Sequence, residues 1–129
     1  MSIHKKINNF EEMPVWQDAQ DYAVAVYAIT KNYPKEEKYA LVDQMRRAAS
    51  SVSANIAEGF GRNSDTHKET TRFYRIALGS LLEVKNFVYL SLRLDYISSE
   101  DADELVNMSE NLHNQITAIL KYFRDSEKR

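Results

Sequence analysis

Two glutamates, Glu58 and Glu83, are the residues of this 129-residue chain whose type most suggests acid–base or metal chemistry. Each lies toward the edge of an apolar arc with helical periodicity. Paired carboxylates projecting into a helical bundle can hold metal, but the di-iron pattern also requires Glu-x-x-His on partner helices. The histidines, His4, His67 and His113, supply one isolated match, Glu110-Asn111-Leu112-His113. Cysteine is absent, which removes thiolate ligands, disulfides and a Cys nucleophile. No Ser-His-Asp arrangement, Gly-rich phosphate loop or nucleotide fingerprint occurs. Gly59-Phe60-Gly61 reads as a helix stop. The sequence therefore predicts no catalytic residue, no cofactor and no metal site, and a non-enzymatic protein.

Glu58 belongs to a longer pattern. At 100° per residue, Gln44, Arg47, Ser51, Asn55, Glu58 and Arg62 fall in an arc about 80° wide. Beside it, Leu41, Val42, Met45, Ala48, Ala49, Val52, Ile56 and Phe60 fill an arc of about 120°. One helix thus carries an apolar stripe flanked by a narrow polar one. Two readings stand open. The polar residues could make ordinary i,i+4 surface contacts, Arg47 with Ser51 and Glu58 with Arg62, each contributing a few tenths of a kcal/mol. Alternatively Asn55 and Glu58 meet Ser80 and Glu83 of the following helix, with Arg47 or Arg62 as counter-charge. A connected buried network of that kind would fix helix register.

Charge is distributed unevenly. The formal net charge is −2, so no global nucleic-acid signature exists. Between Arg46 and Arg93, eight basic residues face four acidic ones, a local +4 that leaves −6 for the remainder. Arg46, Arg62, Lys68, Arg72, Arg75 and Arg93 are the candidate phosphate contacts. Trp16 and Tyr74 could stack on bases, although core packing is the stronger reading for the aromatics. Most such charges could equally do no more than solvate helix faces.

The elements that must position these groups are helices. Three glycines and two prolines in the whole chain fit long helices rather than strands and loops. Residues 1–13 show no periodicity, carry no signal-peptide run, and read as a flexible lead-in. Pro14 is a favoured first-turn residue. From there Val15, Ala19, Tyr22, Val26, Ile29 and Tyr33 repeat at helical spacing, widened by Trp16, Ala23 and Tyr27. Pro34 ends this helix. A second helix is predicted from about Glu36 to Gly59-Phe60-Gly61. Ser64 or Asp65, with Thr66 as a further option, would cap a third helix running to about Leu94. That third helix has an apolar arc of about 240°, too wide for a simple surface helix. It predicts a second burial, against another subunit. Small Gly79 and Ser80 would let a neighbouring backbone approach. Ser98 or Ser99 would cap a fourth helix carrying Leu105, Met108, Leu112, Ile116, Ile119 and Phe123. Residues 14–125 thus read as an all-α, antiparallel up-down-up-down four-helix bundle, with 126–129 as a C-terminal tail. The run Ile76–Leu82, interrupted by Gly79 and Ser80, is too short to span a bilayer, which suggests a cytoplasmic protein with no membrane partner.

The stretch from Val15 to Arg62, with FYRIALGSLLEVK after it, resembles the four-helix-bundle family of bacterial 23S rRNA intervening-sequence proteins. The resemblance rests on Gln44-x-x-Arg47-Ala48-x-x-Ser51-Val52-x-x-Asn55-Ile56-Ala57-Glu58-Gly59, with Ala77-Leu78-Gly79-Ser80 and Glu83 as a second match. It covers about Phe10 to Phe123. It implies a homo-oligomer, commonly a barrel-like pentamer, and no enzymatic activity. A related branch serves diversity-generating retroelements as accessory proteins that bind nucleic acid and a reverse transcriptase. The functional expectation is an oligomeric RNA- or DNA-binding ribonucleoprotein accessory module. The alternative is a scaffold that binds another protein and no nucleic acid.

Overall fold

A computed structural model describes residues 7–62 and 67–127. His4 and the cap candidates Ser64, Asp65 and Thr66 lie outside those residues. Among the described residues the chain is wholly helical: α1 (Pro14–Thr30), α2 (Leu41–Gly61), α3 (Lys68–Arg93) and α4 (Ser99–Glu127), with 3-10 turns at Phe10–Glu12 and Lys35–Glu37. Among the described residues α1 packs closely on α2 and α4, and α3 on α2 and α4, so the four helices form a square with the diagonal pairs further apart. Cross-helix bonds set their directions. Gln20, early in α1, donates to Ser53, late in α2 (2.9 Å), whereas Arg46, early in α2, donates to Thr30 at the end of α1 (2.9 Å). Ser51 pairs with Ser80 across α2 and α3. Asp18 of α1 accepts from Gln115 of α4 at 2.7 Å. Neighbouring helices therefore run antiparallel, as an up-down-up-down bundle.

The helix limits follow local chemistry. Pro14 opens α1, where its missing N–H is not needed. The second helix starts later than the acidic pair Glu36-Glu37 suggests. Those residues form a 3-10 turn after Pro34, and Ala40, at φ −121° and ψ −102°, breaks the path before Leu41. Glu37 is held there by the Tyr96 hydroxyl, which donates to its carboxylate at 2.7 Å. α3 ends where Asp95 takes a left-handed φ of 60° and Tyr96 N–H bonds back to the Ser91 carbonyl. Ser98 caps α4 by accepting from Asp101 N–H at 3.1 Å. α4 continues through Glu127, beyond the expected boundary at 125. Before α1, Phe10 packs edge-to-face on Trp16 at 5.2 Å, and Gln17 donates to the Glu11 carbonyl.

The apolar stripe of α2 is buried from Leu41 through Ile56. It faces Val15, Ala19, Tyr22 and Val26 of α1, Ala77, Leu81, Val84 and Val88 of α3, and Leu105, Leu112 and Ile116 of α4 in one continuous core. Tyr27, read in sequence as part of the α1 stripe, instead points outward under the Arg46 guanidinium, 4.7 Å from its ring centre. Where α2 meets α3, Gly59 lets the backbones close up. A Cβ there would sit 3.2 Å from Phe73 Cβ and 3.3 Å from the Thr70 carbonyl oxygen, whereas a Cβ at Gly79 would meet nothing within 4 Å.

Two outcomes follow. Gly79→Ala should stabilise the isolated fold by about 0.5–1 kcal/mol through helix propensity. Gly59→Ala should lose that gain to crowding and be neutral or destabilising, as chemical denaturation of the two variants would show. Burial also raises the Tyr22 and Tyr74 hydroxyl pKa values, Tyr74 to about 12 from the ordinary 10.0. Both phenols stay neutral longer in the folded chain than in the unfolded one. Their contribution is therefore complete below pH 10 and drains as pH rises through the Tyr74 value. Denaturation midpoints should fall over that window, and Tyr74→Phe should flatten the fall.

Candidate functional site

The polar stripe of α2 and the small residues of α3 meet along the outer side of the α2–α3 seam. Antiparallel packing pairs Ser51 with Ser80, brings the Ser91 hydroxyl to the Met45 sulfur at 3.6 Å, and sets Gly59 against Thr70 and Phe73. The two serine hydroxyls lie 2.9 Å apart, and Asn55 Nδ2 donates to both the Ser51 carbonyl (2.8 Å) and the Ser51 hydroxyl (2.9 Å). A three-residue hydrogen-bonded knot, half-buried, thus ties the helices at mid-height.

The remaining stripe residues do not join it. Arg47 binds Asp43 at 3.2 Å and Arg62 binds Glu58 at 2.9 Å, both exposed i,i+4 pairs on α2 itself. Gln44 and Glu83 line an open groove of about 460 Å³ with Arg47, Ser51, Ser80 and Tyr39. The expected meeting of Glu58 with Glu83 does not form. The register sets Glu83 opposite about residue 48, ten residues or about 15 Å along α2 from Glu58. Among the described residues no three His, Asp or Glu side chains gather as a metal cage would require.

The six cations proposed as phosphate contacts divide by place. Arg62, at the end of α2, and Lys68, Arg72 and Arg75, in the first turns of α3, share one end of the bundle. Arg62 and Arg72 both lie 5.7 Å from the Phe73 ring centre, two guanidiniums about one aromatic ring. Arg72 also touches Glu69 at 3.6 Å. Such exposed pairs are weakly held and leave the guanidinium available to a phosphate. Arg93 stands at the other end of α3, about 27 Å from Arg75 along the axis. Arg46 is engaged within the fold: its Nε donates to the Thr30 hydroxyl, its Nη2 to the Tyr27 carbonyl at 3.2 Å, and its plane covers Tyr27. It ties α2 to α1. Neither aromatic proposed for stacking is free: Tyr74 is buried, and Trp16 is half-buried against Phe10 and the core.

Sequence spacing missed the interhelical ties Gln20–Ser53 and Asp18–Gln115, because no periodic signal marks a partner 33 or 97 residues away. It found the breadth of the α3 apolar arc. Ile76, Leu82, Tyr89, Leu90 and Leu94 remain exposed after the core is filled. Each lies at least about 100° around the helix from buried Val88.

Three comparisons bear on this arrangement. The family described as 23S rRNA-intervening sequence protein matches residues 11–118. A crystal structure of a protein of unknown function from the S23 ribosomal protein family of Bacteroides thetaiotaomicron superposes with a TM-score of 0.73 at 24% identity, covering 83% of this chain and 98% of that one. It is alike in fold. No curated protein matches.

Ser80→Ala should destabilise the bundle by about 1 kcal/mol by removing the interhelical hydroxyl–hydroxyl bond to Ser51. Ser51→Ala with Ser80→Ala should cost less than the two single changes summed, because both remove the same bond. A denaturant double-mutant cycle measures this, and strict additivity would deny the knot a joint role.

Proposed function

The chain belongs to the 23S rRNA-intervening sequence protein family, and on that premise we propose that it is a non-enzymatic, self-associating module that grips nucleic-acid backbone. The observation that carries the reading is the outer side of α3. Five large apolar side chains stay exposed there, beside Gly79, which adds no side-chain bulk. Apolar surface of that extent beyond a filled core favours burial against another molecule. Five copies in a closed ring, the arrangement that the family resemblance implies, would cover it and leave no open edge.

Nucleic-acid binding rests on the basic end. Arg62, Lys68, Arg72 and Arg75 stand on two adjoining helix ends, and repetition around a ring would multiply a modest single-copy affinity. In this reading Arg93 plays a lesser part and Arg46 none. Among the described residues no helix is long and apolar enough to cross a membrane, and a ribonucleoprotein accessory role places the module in the cytoplasm.

Filter binding of the full chain to a structured RNA, at salt concentrations from about 50 to 200 mM, tests the reading. Affinity should fall linearly on a log–log plot against salt. Arg72→Glu with Arg75→Glu should weaken binding at least about tenfold and flatten that slope. Absent or salt-insensitive binding would overturn the nucleic-acid role and favour a scaffold that binds protein alone.

A further inference from the structure

At the end of the bundle where α2 finishes and α3 begins lies a cavity of about 480 Å³. Met13, Phe60, Tyr74, Ile119 and Phe123 form its walls, and the exposed Tyr122 and Ala118 stand at its rim. Gly59 also lines it. The volume is within the range of small-molecule sites. It is open to solvent on one side. Among the described residues no charged side chain lines it.

Its polar groups are few and unequal. The Thr70 hydroxyl donates to the Arg62 carbonyl at 3.2 Å and is satisfied. Among the described residues the Tyr74 hydroxyl has only the Met13 sulfur, at 3.9 Å, a weak acceptor. Tyr74 is 2% exposed. A buried hydroxyl with so poor a partner is costly to leave unmatched. Burial also holds it protonated, its pKa raised to about 12 with no hydrogen bond acting against the rise. The wall therefore offers an apolar surface and one under-used hydrogen-bonding group.

We infer that this cavity is a binding site for a small neutral molecule with an apolar body and a single hydrogen-bonding group, oriented by the Tyr74 hydroxyl. A charged ligand would lose its hydration with no counter-charge to replace it. The assignment is independent of nucleic-acid binding, since none of the basic contacts lines the cavity.

p-Cresol and toluene form a matched pair of probes, alike in shape and different by one hydroxyl. Calorimetric titration of the full chain should give one site per chain for each, with dissociation constants on the order of 0.1–1 mM. Tyr74→Phe should weaken p-cresol about three- to tenfold and leave toluene unchanged. Ala118→Trp, at an exposed helical position on the rim, should abolish both while circular dichroism stays helical. No binding of either probe to the wild-type chain would overturn the inference. So would equal loss of both probes in Tyr74→Phe, or unimpaired binding in Ala118→Trp. A lower solution mass for Ala118→Trp would also overturn it, by showing that a second copy fills the cavity.

Discussion

The close approach of α2 to α3 is the constraint on which the rest of the bundle depends. Gly59 has no room for a side chain beside Phe73 and Thr70, and Ser51 and Ser80 bond hydroxyl to hydroxyl further up the seam. Helices can pack this tightly only where small residues face each other, and once they do, sliding one past the other breaks both contacts. The seam thereby fixes which core side chains oppose each other. Met45 comes to rest against Ser91, and the apolar stripe of α2 meets Ala77, Leu81, Val84 and Val88 in one register. The outer helices are then tied on by side chains, α1 through Gln20–Ser53 and Arg46–Thr30, and α4 through Asp18–Gln115 and Lys85–Glu110.

That arrangement divides the surface by chemistry. The seam itself presents polar side chains held by short-range pairs, the bundle end beside it presents arginines about Phe73, and the outer half of α3 presents apolar ones. The polar stripe beside the core of α2 serves chiefly the fold: its half-buried part is a serine–asparagine knot, and its charged members pair along their own helix.

The apolar periodicity of α2 was legible because burial on a straight helix repeats every 3.6 residues, and Leu41 through Ile56 obey it without interruption. Helix ends were less so. Glu36 and Glu37 have the charge that suits a first turn, but Pro34 and the bond from Tyr96 hold them in a 3-10 turn whose distant partner no local pattern announces. Arg46 shows the same gap for function: its charge can be read, its engagement with the Thr30 hydroxyl and Tyr27 carbonyl cannot. Glu58 and Glu83 looked like a pair because both sit near the edges of apolar arcs, yet their separation is decided by the register of two helices, which spacing within either helix does not contain. The end cavity was wholly illegible, since a void belongs to how four helix ends meet and to no one of them.

Because α3 keeps large apolar side chains exposed in a single copy, we propose that the protein works as an assembly. Sedimentation velocity at micromolar concentration, on the wild-type chain and on Leu90→Glu with Leu94→Glu, tests it most directly. The expected result is a wild-type mass that is a multiple of 15.0 kDa and a monomeric, still helical double variant. A wild-type chain that sediments as a well-behaved monomer would contradict it.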